Sequence, residues 1–298
     1  MDQFSENKCA VERKENQYWP FASKPDWEMA LFLLWSNLSM VDIDEYLKLE
    51  FTKTLPLSFQ SSRELQGCSE LLLAPPQWKY ETVTTKFPTT KILQIFYQDA
   101  IECLQSLLSH PLLATSFDFI PHKVYKSAEH AVQVYHGFMT GDHAWNLQKD
   151  LPEDASLLGI VLSLDKTKVT NITGNCYAHP LLVSLANIDP SVHAKGSLHA
   201  YILLALLPVA KFMHRNKCMH GVLTDRLLHH WIDLVVGPLR QAVCLGVMMS
   251  DPQGFSRYCF TLLVAYVADT LEKLVIACTM INSSPVTMAT HKDFGDPI

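Results

Sequence analysis

Two acidic residues stand where apolar runs stop. Leu157–Leu164, interrupted only by Gly159 and Ser163, has the length of a strand and gives way to Asp165, Lys166 and Thr167. Phe260–Ala268 closes in the same manner on Asp269. A buried strand that delivers a carboxylate at its exposed end holds that acid rigidly, which suits a divalent cation. Asp is also a common turn opener, and around Asp165 the pattern alone favours the turn. Asp251, ahead of Pro252-Gln253-Gly254, reads as a turn residue rather than a ligand.

The elements that would position these acids lie after Pro152. Three apolar runs, Leu157–Leu164, Leu181–Ile188 and Ala200–Pro208, are separated by turn signals at Thr173-Gly174-Asn175, Asp189-Pro190 and Lys195-Gly196. Such short spacing predicts an antiparallel meander. A helix is then expected with Thr224 as N-cap and Leu227, Leu228, Trp231, Leu234 and Val235 on one face, ended by Gly237-Pro238. The run Phe260–Ala268 follows. Periodicity alone fits a generic α/β domain.

Ahead of this lies a stretch with no chemistry of its own. Residues 1–17 are polar and read as a flexible lead-in. From residue 18 to 150 a helical module is expected, with Trp27, Ala30, Leu31 and Leu34 at helical spacing behind Pro25-Asp26, and a short helix near Ile43–Leu49. Ile92, Ile95, Phe96, Leu104, Leu107 and Leu108 predict a long amphipathic helix from Lys91, stopped by Pro111. His122, His130, His136 and His143 lack partners at ligand spacing and read as surface residues.

Composition narrows the function classes. With 24 Lys and Arg against 30 Asp and Glu the net charge is −6, the wrong sign for a domain gripping nucleic acid unaided. The eight cysteines form no C-x-x-C pair, and no signal peptide precedes them, so a disulfide framework or closed zinc site is not expected. Cys244, Cys259 and Cys278 read as buried thiols in a reducing, intracellular compartment. Tyr201–Phe212 is too short to span a bilayer, and Leu262–Ile281 carries Asp269, Glu272 and Lys273. A soluble protein is expected.

Ordered words along the chain carry a resemblance. Tyr18-Trp19-Pro20-Phe21-Ala22-Ser23-Lys24-Pro25-Asp26-Trp27-Glu28 resembles the "YYPFASKLDWE" opening of fungal Plavaka transposases. Ser163-Leu164-Asp165-Lys166-Thr167 is similar to their "SDKT", Leu206-Leu207-Pro208-Val209 to "YLPV", and Ala265-Tyr266-Val267-Ala268-Asp269 to "AYVAD". The resemblance runs from residue 18 to the C-terminus. It implies a DDE-type cut-and-paste DNA transposase, distantly similar to the CACTA transposases. The fold would be α/β, an incomplete ribonuclease-H-like core over 151–298 preceded by the mainly helical module. Asp165 and Asp269 would be two catalytic acids holding Mg or Mn, with Lys166 and Thr167 placed to contact DNA phosphate. The implied partner is DNA at transposon ends, with a homo-oligomer possible and no membrane, and the implied location is the nucleus.

Departures from the family pattern temper the activity. A third acid is expected downstream of Ile298, and Glu272 and Asp293 follow Asp269 too soon to serve. Ser284-Pro285-Val286-Thr287 stands where the family has "CPxC", so no zinc is expected there, and Val192-His193 replaces a basic pair. The sequence therefore reads as a transposase-derived, truncated chain with impaired or no catalysis. The alternative is a non-catalytic protein-interaction module on the same fold.

Overall fold

Serine and aspartate set the helix starts in the first part of the chain. The computed structural model describes residues 10–36, 38–72, 76–110, 113–127, 129, 132–168, 177–193, 200–251, 253, 255–280, 283, 284 and 287. The chain divides into two units, residues 1–75 and 76–298. The first carries α1 (Ala10–Glu15), α2 (Lys24–Trp35), α3 (Met40–Leu47), α4 (Glu50–Lys53) and α5 (Ser62–Glu70). Ser39 and Asp42 form a reciprocal capping box at α3, and the Ser61 hydroxyl accepts from Glu64 N at α5. Phe21, Ala30, Leu33, Ile43, Leu47, Phe59 and Leu65 make the core. The buried Asp26 carboxylate accepts from Ala22 N at 2.8 Å and Ser58 N at 3.1 Å, tying the start of α2 to the loop before α5.

The flexible lead-in is corrected over residues 10–15. That stretch is helical, and Arg13 is buried with Nη2 donating to Leu71 O at 2.7 Å. Its guanidinium also lies 5.4 Å from the Trp19 ring centroid, so aromatic contact and a carbonyl satisfy the charge that made the segment look solvated.

The second unit is built on one seven-stranded sheet. Its elements in chain order are β1 (Lys79–Val83), β2 (Leu93–Tyr97), α6 (Ala100–Leu108), β3 (Val124–Tyr125), β4 (Gln133–Val134), α7 (Asp142–Lys149), β5 (Ser156–Leu164), β6 (Thr167–Lys168), β7 (Tyr177–Ala178) and β8 (Pro180–Leu185). Then come α8 (Pro190–His193), β9 (Ile202–Leu206), α9 (Cys218–Leu245), β10 (Val247–Ser250), β11 (Ser256–Val267) and α10 (Thr270–Ile276). The strand order is β1-β2-β9-β8-β5-β11-β10. Every neighbouring pair is antiparallel except β5 and β11, which run parallel.

The expected meander β5-β8-β9 is present. Central β5 is apolar along its length because both of its faces are covered. Leu158, Ile160 and Leu162 pack into the main core with α6 and α9, while Leu157 packs with Met139 and Ala144.

Two helix expectations are corrected. The segment from Lys91 is first a strand, since buried Leu93 and Ile95 alternate with exposed Gln94 and Phe96. The helix begins only after Asp99, whose carboxylate accepts from Ile101 N at 3.0 Å. The helix expected from Thr224 to Gly237 is α9, which runs on through Pro238. Leu239 and Ala242 extend its buried stripe, and Thr261 Oγ1 donates to Leu239 O at 2.9 Å, holding the second half on the sheet. Residues 76–150, expected in a helical module, supply β1 and β2 to the sheet through the β2–β9 pairing.

Candidate functional site

The parallel pair β5/β11 brings the two expected acids to one end of the sheet. Their register places Ser163 opposite Val267. Asp165 and Asp269 each lie two residues further on, at equivalent positions of chains about 4.8 Å apart. Asp165 is exposed and accepts from Thr167 Oγ1 at 3.0 Å. Asp269 is the N-cap of α10, its Oδ1 accepting from Glu272 N at 2.7 Å. That cap commits one carboxylate oxygen to the helix start.

Two further residues join this end of the sheet. Leu164 pairs with Leu181 and Thr167 with Ala178, so the same register puts His179 opposite Lys166. His179 O accepts from Leu207 N at 3.0 Å, fixing its backbone against the segment following β9. The first turn of α10 brings Glu272 back toward the strand end. Both side chains are buried, with 8% of His179 and 9% of Glu272 exposed. His179 Nε2 and Glu272 Oε1 lie 2.8 Å apart, a close contact between a buried imidazole and a buried carboxyl.

Electrostatics treats the four groups and Lys166 as one cluster. Burial, reinforced by the charges of Asp269 and Asp165, pushes the Glu272 carboxyl up to about 7, against the N–H and charge of Lys166. Burial and the Lys166 charge hold the His179 imidazole down at about 4, against the pull of Asp165 and Asp269. The imidazole is therefore neutral at physiological pH and able to offer a lone pair. Lys166 Nζ lies 5.3 Å from the Tyr177 ring centroid across the small β6/β7 hairpin.

A family model described as Plavaka transposase matches residues 59–298. The chain belongs to the Plavaka transposase family. No curated protein sequence matches it.

The remaining residues singled out in this Plavaka chain fall elsewhere. Asp251 is buried and structural: it accepts from Gln253 N and Phe255 N, each at 2.9 Å, and pairs with Arg257 through Nε and Nη2, both at 2.9 Å. Ser284 Oγ accepts from Thr287 N at 3.0 Å, and Asp293 lies outside the described residues. His122, His136 and His143 are exposed as expected, and His130 is outside the described residues. Of the three thiols expected to be buried only Cys259 is, because Cys244 faces out from α9 and Cys278 follows the end of α10. No helix among the described residues is long and apolar enough to cross a membrane.

The sheet end carries carboxylate oxygens of Asp165, Asp269 and Glu272, the donor type that a hard divalent cation takes. As the side chains stand, no three described His, Cys, Asp or Glu groups converge on one point that could hold a metal. Sequence reasoning did not single out His179 and set Glu272 aside as too close to Asp269. The signal for Glu272 was its position three residues beyond an Asp able to cap a helix.

Proposed function

We propose that this Plavaka-family chain is a transposase-derived protein of DDE type whose site acts on DNA phosphodiesters with a divalent cation, and whose catalysis is impaired in this chain alone. The observation that carries the reading is the placement of Asp165 and Asp269 at matching positions beyond a parallel strand pair. The sheet supports a ribonuclease-H-like core: β9-β8-β5 is an antiparallel meander, and β11 returns parallel to β5 after a long helix.

Asp165 and Asp269 are the residues that would hold Mg or Mn. When bound, the cation would activate a hydroxyl nucleophile and stabilise the leaving oxygen. Asp165 presents its carboxylate at an exposed edge that an extended phosphate chain can approach. Lys166, next to it, supplies a positive charge for a phosphate oxygen, and Thr167 Oγ1 orients the acid. Two acids and a net charge of −6 leave the rest of a DNA contact to a nuclear partner or a second copy.

Manganese binding followed by calorimetry tests this, on the native chain and on Asp165→Asn with Asp269→Asn. Binding lost in the double variant supports the reading, and absence of binding in the native chain rejects it. A protein-interaction role is the second reading, favoured by Phe32, Val41 and Phe51 at 63%, 65% and 76% exposure on the first unit. It predicts a partner complex indifferent to Asp165→Ala and Asp269→Ala.

A further inference from the structure

We propose that the outer edge of β11, from Phe260 to Val267, is a dimer interface on which the same strand of a second copy of this chain pairs antiparallel. The inference goes beyond the cation reading and does not depend on it, because it stands on a backbone edge.

A strand inside a sheet pairs along both of its edges. On one side β11 pairs with β5 from Cys259 to Val267. On the other, β10 covers only Ser256–Cys259. Among the described residues, Phe260–Val267 therefore has no strand on its outer edge, where the N–H and C=O groups of alternate residues point away from the sheet. Leu263 and Val267 on this stretch are 59% and 50% exposed. Water can satisfy the backbone groups, but only another strand satisfies them and covers the apolar side chains together. Natural sheets guard such edges with charged residues or proline, and neither occurs from Tyr258 to Ala268. The register shift between Leu263 and Ala265 falls in the pairing with β5.

A cavity of about 290 Å³ opens beside this edge between α9 and the sheet, lined by Val236, Leu239, Val243, Leu263, Tyr266 and Ile276. That is about twice the space that takes a benzene-sized group, so it admits an apolar side chain from outside. Charge selects a second copy as the occupant. Two-fold pairing sets each residue against another of the same stretch, and any charge there would meet its like. This stretch has none, in a chain whose net charge of −6 makes other surfaces repel a copy. A pairing centred on Leu263 keeps both copies within the free stretch, which ends where β10 covers Cys259. It also sets the two Leu263 side chains against each other beside the cavities.

The test is sedimentation equilibrium of the full chain from about 1 to 100 µM, with hydrogen–deuterium exchange at both ends of that range. So short a paired stretch makes a weak interface, and the 33.7 kDa monomer should pass to a dimer at roughly micromolar concentration. Edge amides within Phe260–Val267 should exchange at least about tenfold more slowly in the concentrated sample. Leu263→Lys and Leu263→Glu should each raise the dissociation constant at least about tenfold by setting like charges together, and mixing the two variants should restore the dimer. The native chain's exchange needs no variant, so a misfolded substitution does not decide the result. A native chain that stays monomeric overturns the proposal. A dimer whose Phe260–Val267 amides exchange alike at both concentrations has its interface elsewhere and overturns it too. Association lost in both variants and not recovered on mixing overturns the pairing centred on Leu263.

Discussion

Glu272 and His179 carry opposite pH dependences, and removing either should expose the other. Glu272 titrates near 4.5 in an unfolded chain and at about 7 in the fold. Between those values the folded state keeps a proton that the unfolded chain has released, so this group's contribution to stability falls as pH rises. His179 titrates near 6.5 unfolded and at about 4 folded. Between 4 and 6.5 the unfolded chain holds a proton that the fold refuses, so its contribution rises with pH. At 1.36 kcal/mol per pH unit each displacement has a ceiling of about 3.4 kcal/mol. The cluster opens onto exposed Asp165 and Asp269, and solvent screening reduces each effect to about 1–2 kcal/mol. In the native chain the two nearly cancel from pH 4.5 to 6.5. Urea unfolding of native protein, Glu272→Gln and His179→Gln across pH 4–7.5 measures them, with differences from native cancelling the other acids. Relative to native, Glu272→Gln should gain about 1–2 kcal/mol as pH climbs from 4.5 to 7. His179→Gln should lose a similar amount from 4 to 6.5. A Glu272→Gln difference that stays constant across this range refutes the argument, because Glu272 would then ionise alike in both states.

Three further substitutions separate structural acids from the candidate site. Asp251→Ala leaves the Arg257 guanidinium without its counter-ion and two backbone N–H groups without an acceptor. It should cost about 3 kcal/mol in urea unfolding, the low end for a broken buried pair because Arg257 is partly exposed, and should leave manganese binding intact. Asp269→Asn keeps a side chain that caps helices well and should change stability by less than about 0.5 kcal/mol, whereas Asp269→Ala should cost about 1 kcal/mol; calorimetric melting distinguishes them. Gly246→Ala should lower the melting temperature by several degrees, about 2 kcal/mol, because φ is +66° and a Cβ there would come within 2.5 Å of the Tyr258 ring.

What the sequence made legible was whatever rests on local pattern. The run ending at Asp165 reads as a strand because burial on both faces removes alternation, and turn residues between the runs announce a meander. Failures came where a tertiary contact overrode a local signal. Ile92, Ile95 and Phe96 match helical spacing, but Leu93 and Ile95 face the core across an antiparallel pairing with β9 that no local residue states. Gly237-Pro238 looks like a helix stop, yet Leu239 and Ala242 find a sheet beneath them and the helix continues. The Cys244 and Cys278 thiols sit among apolar neighbours in sequence, but Cys244 is on the outward side of α9 and Cys278 lies past the end of α10.

The site shows why sequence separation misleads about which acids can cooperate. Glu272 was set aside because it follows Asp269 too soon for a third acid that the family pattern puts well downstream, although three residues of extended chain would also carry it about 10 Å past the strand end. Asp269 is not followed by extended chain. Its carboxylate caps α10, and one helical turn returns position 272 to the side from which it left. The cap that commits one oxygen of exposed Asp269 is thus what delivers the buried Glu272 carboxylate beside it. His179 was hidden for a different reason. Its place opposite Lys166 follows from the β5–β8 register, and a slip of one residue would have turned its ring to the other face of the sheet. Leu164 and Leu181, both fully buried as partners in that register, resist such a slip, so the apolar core sets where the imidazole points.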